Sequence, residues 1–92
     1  MKGDLRSDGI LRLDGVVEGA VRADEVILSE TASVEGEVFA DKIIVVGKAK
    51  GTLRAEDVVE IREKGYVTGQ IITKRLVMAS GGKFDGRIEM TK

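Results

Sequence analysis

The sequence predicts an all-β fold: a single-domain right-handed parallel β-helix, a triangular solenoid of about five to six turns of 15–18 residues, spanning residues 1–92. Three observations carry this expectation. First, Val34, Gly36, Val38, Ala40, Ile43 and Val45 recur 17 residues earlier as Val17, Gly19, Val21, Ala23, Val26 and Leu28. The same pattern recurs 33 residues later as Val67, Gly69, Ile71, Thr73, Leu76 and Met78. Repetition at such a period is the mark of a repeat architecture. Second, one glycine per repeat sits two residues before an aliphatic residue. Third, the chain has 12 glycines and no proline, which suits many tight corners in an unbroken coil.

The anchoring glycines are Gly3, Gly19, Gly36, Gly51, Gly69 and Gly86, at spacings of 16, 17, 15, 18 and 17. Strand side chains alternate between faces, so residues two and four beyond each glycine share the inner face. The first rung supplies Leu5, Ser7 and Ile10, with Leu11 and Leu13 close behind. The second supplies Val17, Val21, Ala23 and Val26; the third, Val34, Val38, Ala40 and Ile43. The fourth supplies Ala49, Leu53, Ala55 and Val58; the fifth, Val67, Ile71, Thr73 and Leu76. The last supplies Phe84, Ile88 and Met90. The predicted core columns are therefore Val17, Val21, Val26, Val34, Val38, Ile43, Leu53, Val58, Val67, Ile71 and Leu76. Like residues stand in columns because each coil packs only on its neighbours. Length varies at corners, where loops absorb it: Gly47-Lys48-Ala49 closes early, and Asp57–Ile61 holds one extra residue.

Residues 53–65 read alone as a helix, with good helix formers and a terminal glycine. The columns overrule that reading, because propensity yields to tertiary context. A left-handed hexapeptide coil requires a rigid period of eighteen, which these spacings break.

Composition narrows function. The chain has no cysteine and no histidine, so disulfides, thiolate nucleophiles and the usual transition-metal and acid–base residues are missing. Fifteen basic and sixteen acidic residues leave a net charge of −1, with no global pull toward nucleic acid or anionic lipid. Phe39, Tyr66 and Phe84 are the only aromatics, too few for base-stacking platforms. No apolar run reaches the ~20 residues of a membrane span. Neither an enzyme nor a cofactor is expected, and a cytoplasmic location fits the lack of cysteine.

Four constellations bear on chemistry or contact. Asp8, Asp24, Asp41 and Glu56 lie five after successive glycines and form a carboxylate corner, but Lys74 interrupts it, so no metal site is expected. Asp14 and Glu18 lack a third group to orient them as catalytic carboxylates. Arg6, Arg22 and Arg54 share an outward column that Phe39 and Ile72 interrupt; these two apolar residues are candidates for a lateral contact. Finally, a parallel coil ends in unpaired strand edges over an open aliphatic core, and such edges recruit further strands. The candidate polymerisation interface is Leu5, Leu11 and Leu13 at one end and Phe84, Ile88 and Met90 at the other.

The segment Leu11-Arg12-Leu13-Asp14-Gly15-Val16-Val17-Glu18-Gly19 resembles the opening motif of bactofilins, bacterial polymer-forming cytoskeletal proteins. Residues 34–40, 67–71 and 82–86 continue the resemblance in the family's order. It implies a triangular right-handed coil that polymerises end to end, without nucleotide, into filaments. It implies that like ends meet. It also implies a scaffold in cell shape or polarity, with itself and cell-envelope or scaffold client proteins as partners. The place implied is the inner face of the membrane, reached through partners rather than by direct insertion. The contrasting reading is a monomeric or dimeric β-helix binding module, resembling the C-terminal domain of the Min-system division inhibitor.

Overall fold

The computed structural model describes residues 2–92; Met1, which the predicted 1–92 domain includes, lies outside the described residues. Among them the secondary structure is strand and turn, without helix. The strands are β1 (Leu5–Arg6), β2 (Ile10–Leu13), β3 (Val16–Arg22), β4 (Glu25–Leu28), β5 (Ser33–Val45), β6 (Lys48–Ile61), β7 (Tyr66–Met78) and β8 (Lys83–Met90). Every strand pairing is parallel. One path runs β1-β3-β5-β6-β7-β8, and β2 and β4 join it through β5. Each strand thus lies on its own repeat-equivalent, which is a parallel β-solenoid.

The glycine column holds the coils in register. Gly19, Gly36, Gly51, Gly69 and Gly86 pair in sequence. A side chain at this place would strike the coil before it: a Cβ built on Gly36 lies 2.0 Å from the Gly19 carbonyl oxygen. Hence the repeat tolerates no larger residue there.

Inside, aliphatic side chains stack one coil apart. Val21, Val38, Leu53 and Ile71 are in register and essentially inaccessible to water. Val17, Val34, Ala49 and Val67 form a second buried column. Leu13, Leu28, Val45 and Ile61 form another. Thr73 is fully buried in the small-residue column after Ala40 and Ala55. Its hydroxyl donates to the Arg75 carbonyl at 3.0 Å, so burial leaves no unmet polar group there.

Two places differ from the column count. Leu11, not Ile10, heads the column of Val26 and Ile43; Ile10 pairs with Glu25 and is 66% exposed. Val59, not Val58, follows Ile43 and precedes Leu76. Val58 is buried beside Lys42 and Arg75 in register. The reason is a shift between Ala55 and Val58, where the extra residue of this turn is taken up at the corner. Counting seven residues from the glycine crosses that corner and slips by one. A one-residue slip exchanges inner and outer faces. The segment that reads as a helix is β6 followed by a turn, closed by Gly65 N–H donating to the Arg62 carbonyl at 2.9 Å. Equivalent turns close at Ser29–Ala32 and Ala79–Gly82.

Candidate functional site at the ends of the solenoid

Each interior coil is covered above and below, so exposure of a core column marks where stacking stops. Along the Val21 column, Ile71 is fully buried and the next residue, Ile88, is 39% exposed. Met90 ends the small-residue column at 53% exposure. Phe84 ends the Val17 column, half-buried against the core. These three come together at the C-terminal end because β8 supplies them all. At the other end, Leu5 pairs with Val21 and Leu11 with Val26; both are half-buried against the core. Leu13 stands over Leu28 and is buried.

The C-terminal end is stepped. β8 covers only Tyr66–Thr73 of β7; the rest of β7, through Met78, has no strand beyond it among the described residues. Leu76, counted in sequence as core, is therefore half-buried at this edge, and Met78, over Ile61, is 42% exposed. Met78 belongs to the apolar end surface, and only the repeat shift to Leu28 and Val45 hints at its place in the sequence.

The glycine column also gives the ends a direction. The Cβ position of each internal glycine points at the preceding coil's carbonyl oxygen. At Gly3 the same position meets nothing within 4 Å. Gly3 is thus open on the side where each internal glycine meets a carbonyl oxygen.

Several polar groups away from the ends are held by partners within the coil. Asp14 accepts hydrogen bonds from the Ser29 and Thr31 hydroxyls, and Ser29 is itself buried. The Ser29 hydrogen bond, more than Arg12 or Thr31, holds the Asp14 carboxyl below its ordinary pKa, against a smaller rise from desolvation. Glu18 faces Lys2 at 3.8 Å, so Asp14 and Glu18 have separate partners. At the carboxylate corner, Asp24 accepts the Gly9 N–H at 3.1 Å. Asp57 holds Arg75 through two guanidinium nitrogens, at 2.9 and 3.2 Å. Among the described residues no group of three or more acidic side chains is arranged to hold a metal ion. Glu30 and Lys64 pair at 2.8 Å across two coils; the hydrogen bond lowers the pKa of Glu30 and raises that of Lys64. The Arg22 guanidinium lies 5.1 Å from the centre of the Phe39 ring, within cation–π reach. Among the described residues no helix is long and apolar enough to cross a membrane.

A family model described as "Bactofilin: Polymer-forming cytoskeletal" matches residues 1–89. The chain is similar to bactofilin BacO of Myxococcus xanthus (strain DK1622), 28% identical over 89 residues, covering 96% of this chain and 71% of that protein. It is also similar to bactofilin BacP of the same organism, 30% identical over 91 residues, covering 98% of this chain and 38% of that protein. No solved structure matches.

Proposed function

The chain belongs to the bactofilin family of polymer-forming cytoskeletal proteins, and on that premise we propose that it is a filament subunit whose solenoids join end to end. The observation that carries this reading is the stepped, apolar C-terminal end, where Phe84, Ile88, Met90, Leu76 and Met78 finish columns that are fully buried one coil earlier. Joining ends would remove this surface from water, worth about 25 cal/mol per Å² of apolar area, and would extend the backbone ladders. Leu5 and Leu11, both half-buried, offer the matching surface at the N-terminal end; Leu13, expected there from the sequence, is already buried over Leu28 and adds none.

Assembly needs no nucleotide, because the surface that drives it is apolar and backbone hydrogen bonding completes it. The filament then serves as a cytoplasmic scaffold for cell shape or polarity. It stands at the inner face of the membrane through cell-envelope or scaffold clients, without inserting itself.

Phe84→Arg tests the joint. An arginine at this half-buried edge reaches water in the monomer. Across a joint between like ends, two guanidinium groups would face each other and resist desolvation. The expected product is a folded dimer joined through its N-terminal ends, read by light scattering. Filaments of wild-type length from Phe84→Arg would place the joint elsewhere.

A further inference from the structure

One side of the solenoid is built from β2, β4 and the second halves of β5, β6 and β7. Its inward columns are those of Val26 and Leu28, so the residues between and before them point outward. One outward column reads, coil by coil, Arg12, Ile27, Ile44, Glu60, Val77. The parallel column beside it includes Glu25 and Lys42 on the second and third coils. Ile27 and Ile44 are half-exposed, so the face has an apolar centre with ions around it.

We propose that this face is the lateral contact between two filaments, formed by a second copy lying antiparallel against it. The proposal rests on the end-to-end reading above. Consider a two-fold axis running along the strands, midway between the second and third coils. It reverses coil order and keeps each column opposite itself. Ile27 then meets the partner's Ile44, Arg12 meets the partner's Glu60, and Glu25 meets the partner's Lys42. Each of these contacts occurs twice. Stacked β faces lie ~10 Å apart, the distance at which such facing side chains touch.

Other registers fail on the same residues. Moving the axis to the third coil sets Lys42 against Lys42 and Ile27 against Glu60. Moving it to the second sets Glu25 against Glu25 and Arg12 against Ile44. A two-fold along the solenoid axis exchanges the columns and sets Ile27 against Glu25 and Ile44 against Lys42. Like charges, or ions pressed on apolar groups, oppose each of these arrangements. In the favoured register no ion is orphaned. Glu60 already has Arg62 at 2.9 Å and Lys42 at 3.9 Å, and the partner's Arg12 joins that network.

Size decides where the contact operates. In this register four coils of a face about four residues wide meet, roughly 250 Å² per copy and about 500 Å² in all at ~3.3 Å per residue and ~4.8 Å per coil. That total is well short of the ~1,200 Å² of a stable pair. Free subunits therefore stay apart on this face. Filaments, which repeat the contact once per subunit pair, hold together by multivalency.

The test is charge exchange read by electron microscopy of filaments at low and at physiological salt. Glu25→Lys and Lys42→Glu, made separately, should each give single filaments where the wild type gives pairs. Mixing the two variants should restore pairing, because the new lysine of one then meets the new glutamate of the other at one contact and natural Lys42 meets natural Glu25 at the second. Pairing by either variant alone, or a mixture that stays single, would overturn the proposal. A destabilised coil cannot mimic the result, since mixing does not mend contacts within a chain. For register, Arg12→Cys mixed with Glu60→Cys should be joined by a short bis-maleimide of ~10 Å reach, each thiol adding across one maleimide double bond, and Arg12→Cys alone should not; the natural chain has no cysteine to compete. The reverse pattern would refute the antiparallel arrangement. Wild-type filaments that remain single sink the lateral contact alone. A wild type without filaments sinks the end-to-end reading, and the mixed-cysteine test at high protein concentration then still decides the face.

Discussion

Gly36→Ala is the sharpest probe of the coil, because the structure sets its magnitude. Gly36 has φ +134°, and a Cβ there would lie 2.0 Å from the Gly19 carbonyl oxygen and 2.9 Å from its carbon. Relief requires the third coil to move off the second by more than about 1 Å, which breaks hydrogen bonds confined to about 2.7–3.2 Å. Two or three ladder bonds at about 1 kcal/mol each, plus about 1–3 kcal/mol of backbone strain, give a loss of roughly 3–6 kcal/mol. Against a total stability of about 5–15 kcal/mol, that removes much of the fold's margin. At about 4–8 °C per kcal/mol for a chain of this size, the midpoint should fall by at least ~12 °C. Gly3→Ala is the control. Its φ is +121°, yet a Cβ there meets nothing within 4 Å, so only the strain remains. The same methyl projects from the N-terminal edge into the place a joined subunit would occupy. Gly3→Ala should therefore lose only that strain, about 1–3 kcal/mol, fall clearly less than Gly36→Ala, and still assemble poorly. Circular dichroism melts and sedimentation read both effects. A Gly36→Ala variant within 1 kcal/mol of wild type, or a Gly3→Ala variant that falls equally far, would refute the reasoning.

Two further outcomes follow from burial and hydrogen bonding. Val38→Asp places a charge in a column with 0% exposure and should prevent folding, at a cost of several kcal/mol or more; a soluble variant with a wild-type strand spectrum would show that position 38 faces water. Ser29→Ala should move the Asp14 titration up toward its ordinary 3.8, as followed by NMR of the carboxyl carbon. Because the folded value is lowered, the Asp14 contribution to stability is present above 3.8 and disappears as pH falls through the lowered value. Ser29→Ala should lack this acid-dependent part, and an unchanged titration would show that the Ser29 hydroxyl is not the cause.

Much of the coil could be read from the chain because its core is a set of columns. Val17, Val21, Val34, Val38, Leu53, Val67 and Ile71 lie close to the glycine on a continuous strand, where alternation alone assigns the face. The reading failed across corners. Ile10 for Leu11 and Val58 for Val59 are one-residue slips beyond a corner whose length differs from turn to turn. Two adjacent aliphatic residues, as in Ile10-Leu11 and Val58-Val59, leave periodicity unable to choose. The helix signal of residues 53–65 lost for the opposite reason: intrinsic propensity is local, while the paired coils on either side of β6 are not. The ends were visible as apolar residues in the first and last repeats. The step that exposes Leu76 and Met78 was not, since it depends on how far β8 extends over β7. The outward Arg12-Ile27-Ile44-Glu60 column was hidden because its members are 15 to 17 residues apart and only register aligns them.

The central claim is end-to-end assembly driven by apolar ends without nucleotide. Sedimentation of the pure wild-type protein at physiological salt, in chelator and with no nucleotide, tests it most directly, with negative-stain microscopy of the pellet. The account predicts that the protein pellets as filaments, and that adding ATP, GTP, magnesium or calcium changes nothing. A strictly monomeric protein at high concentration, or filaments that vanish in chelator and return with calcium, would contradict it.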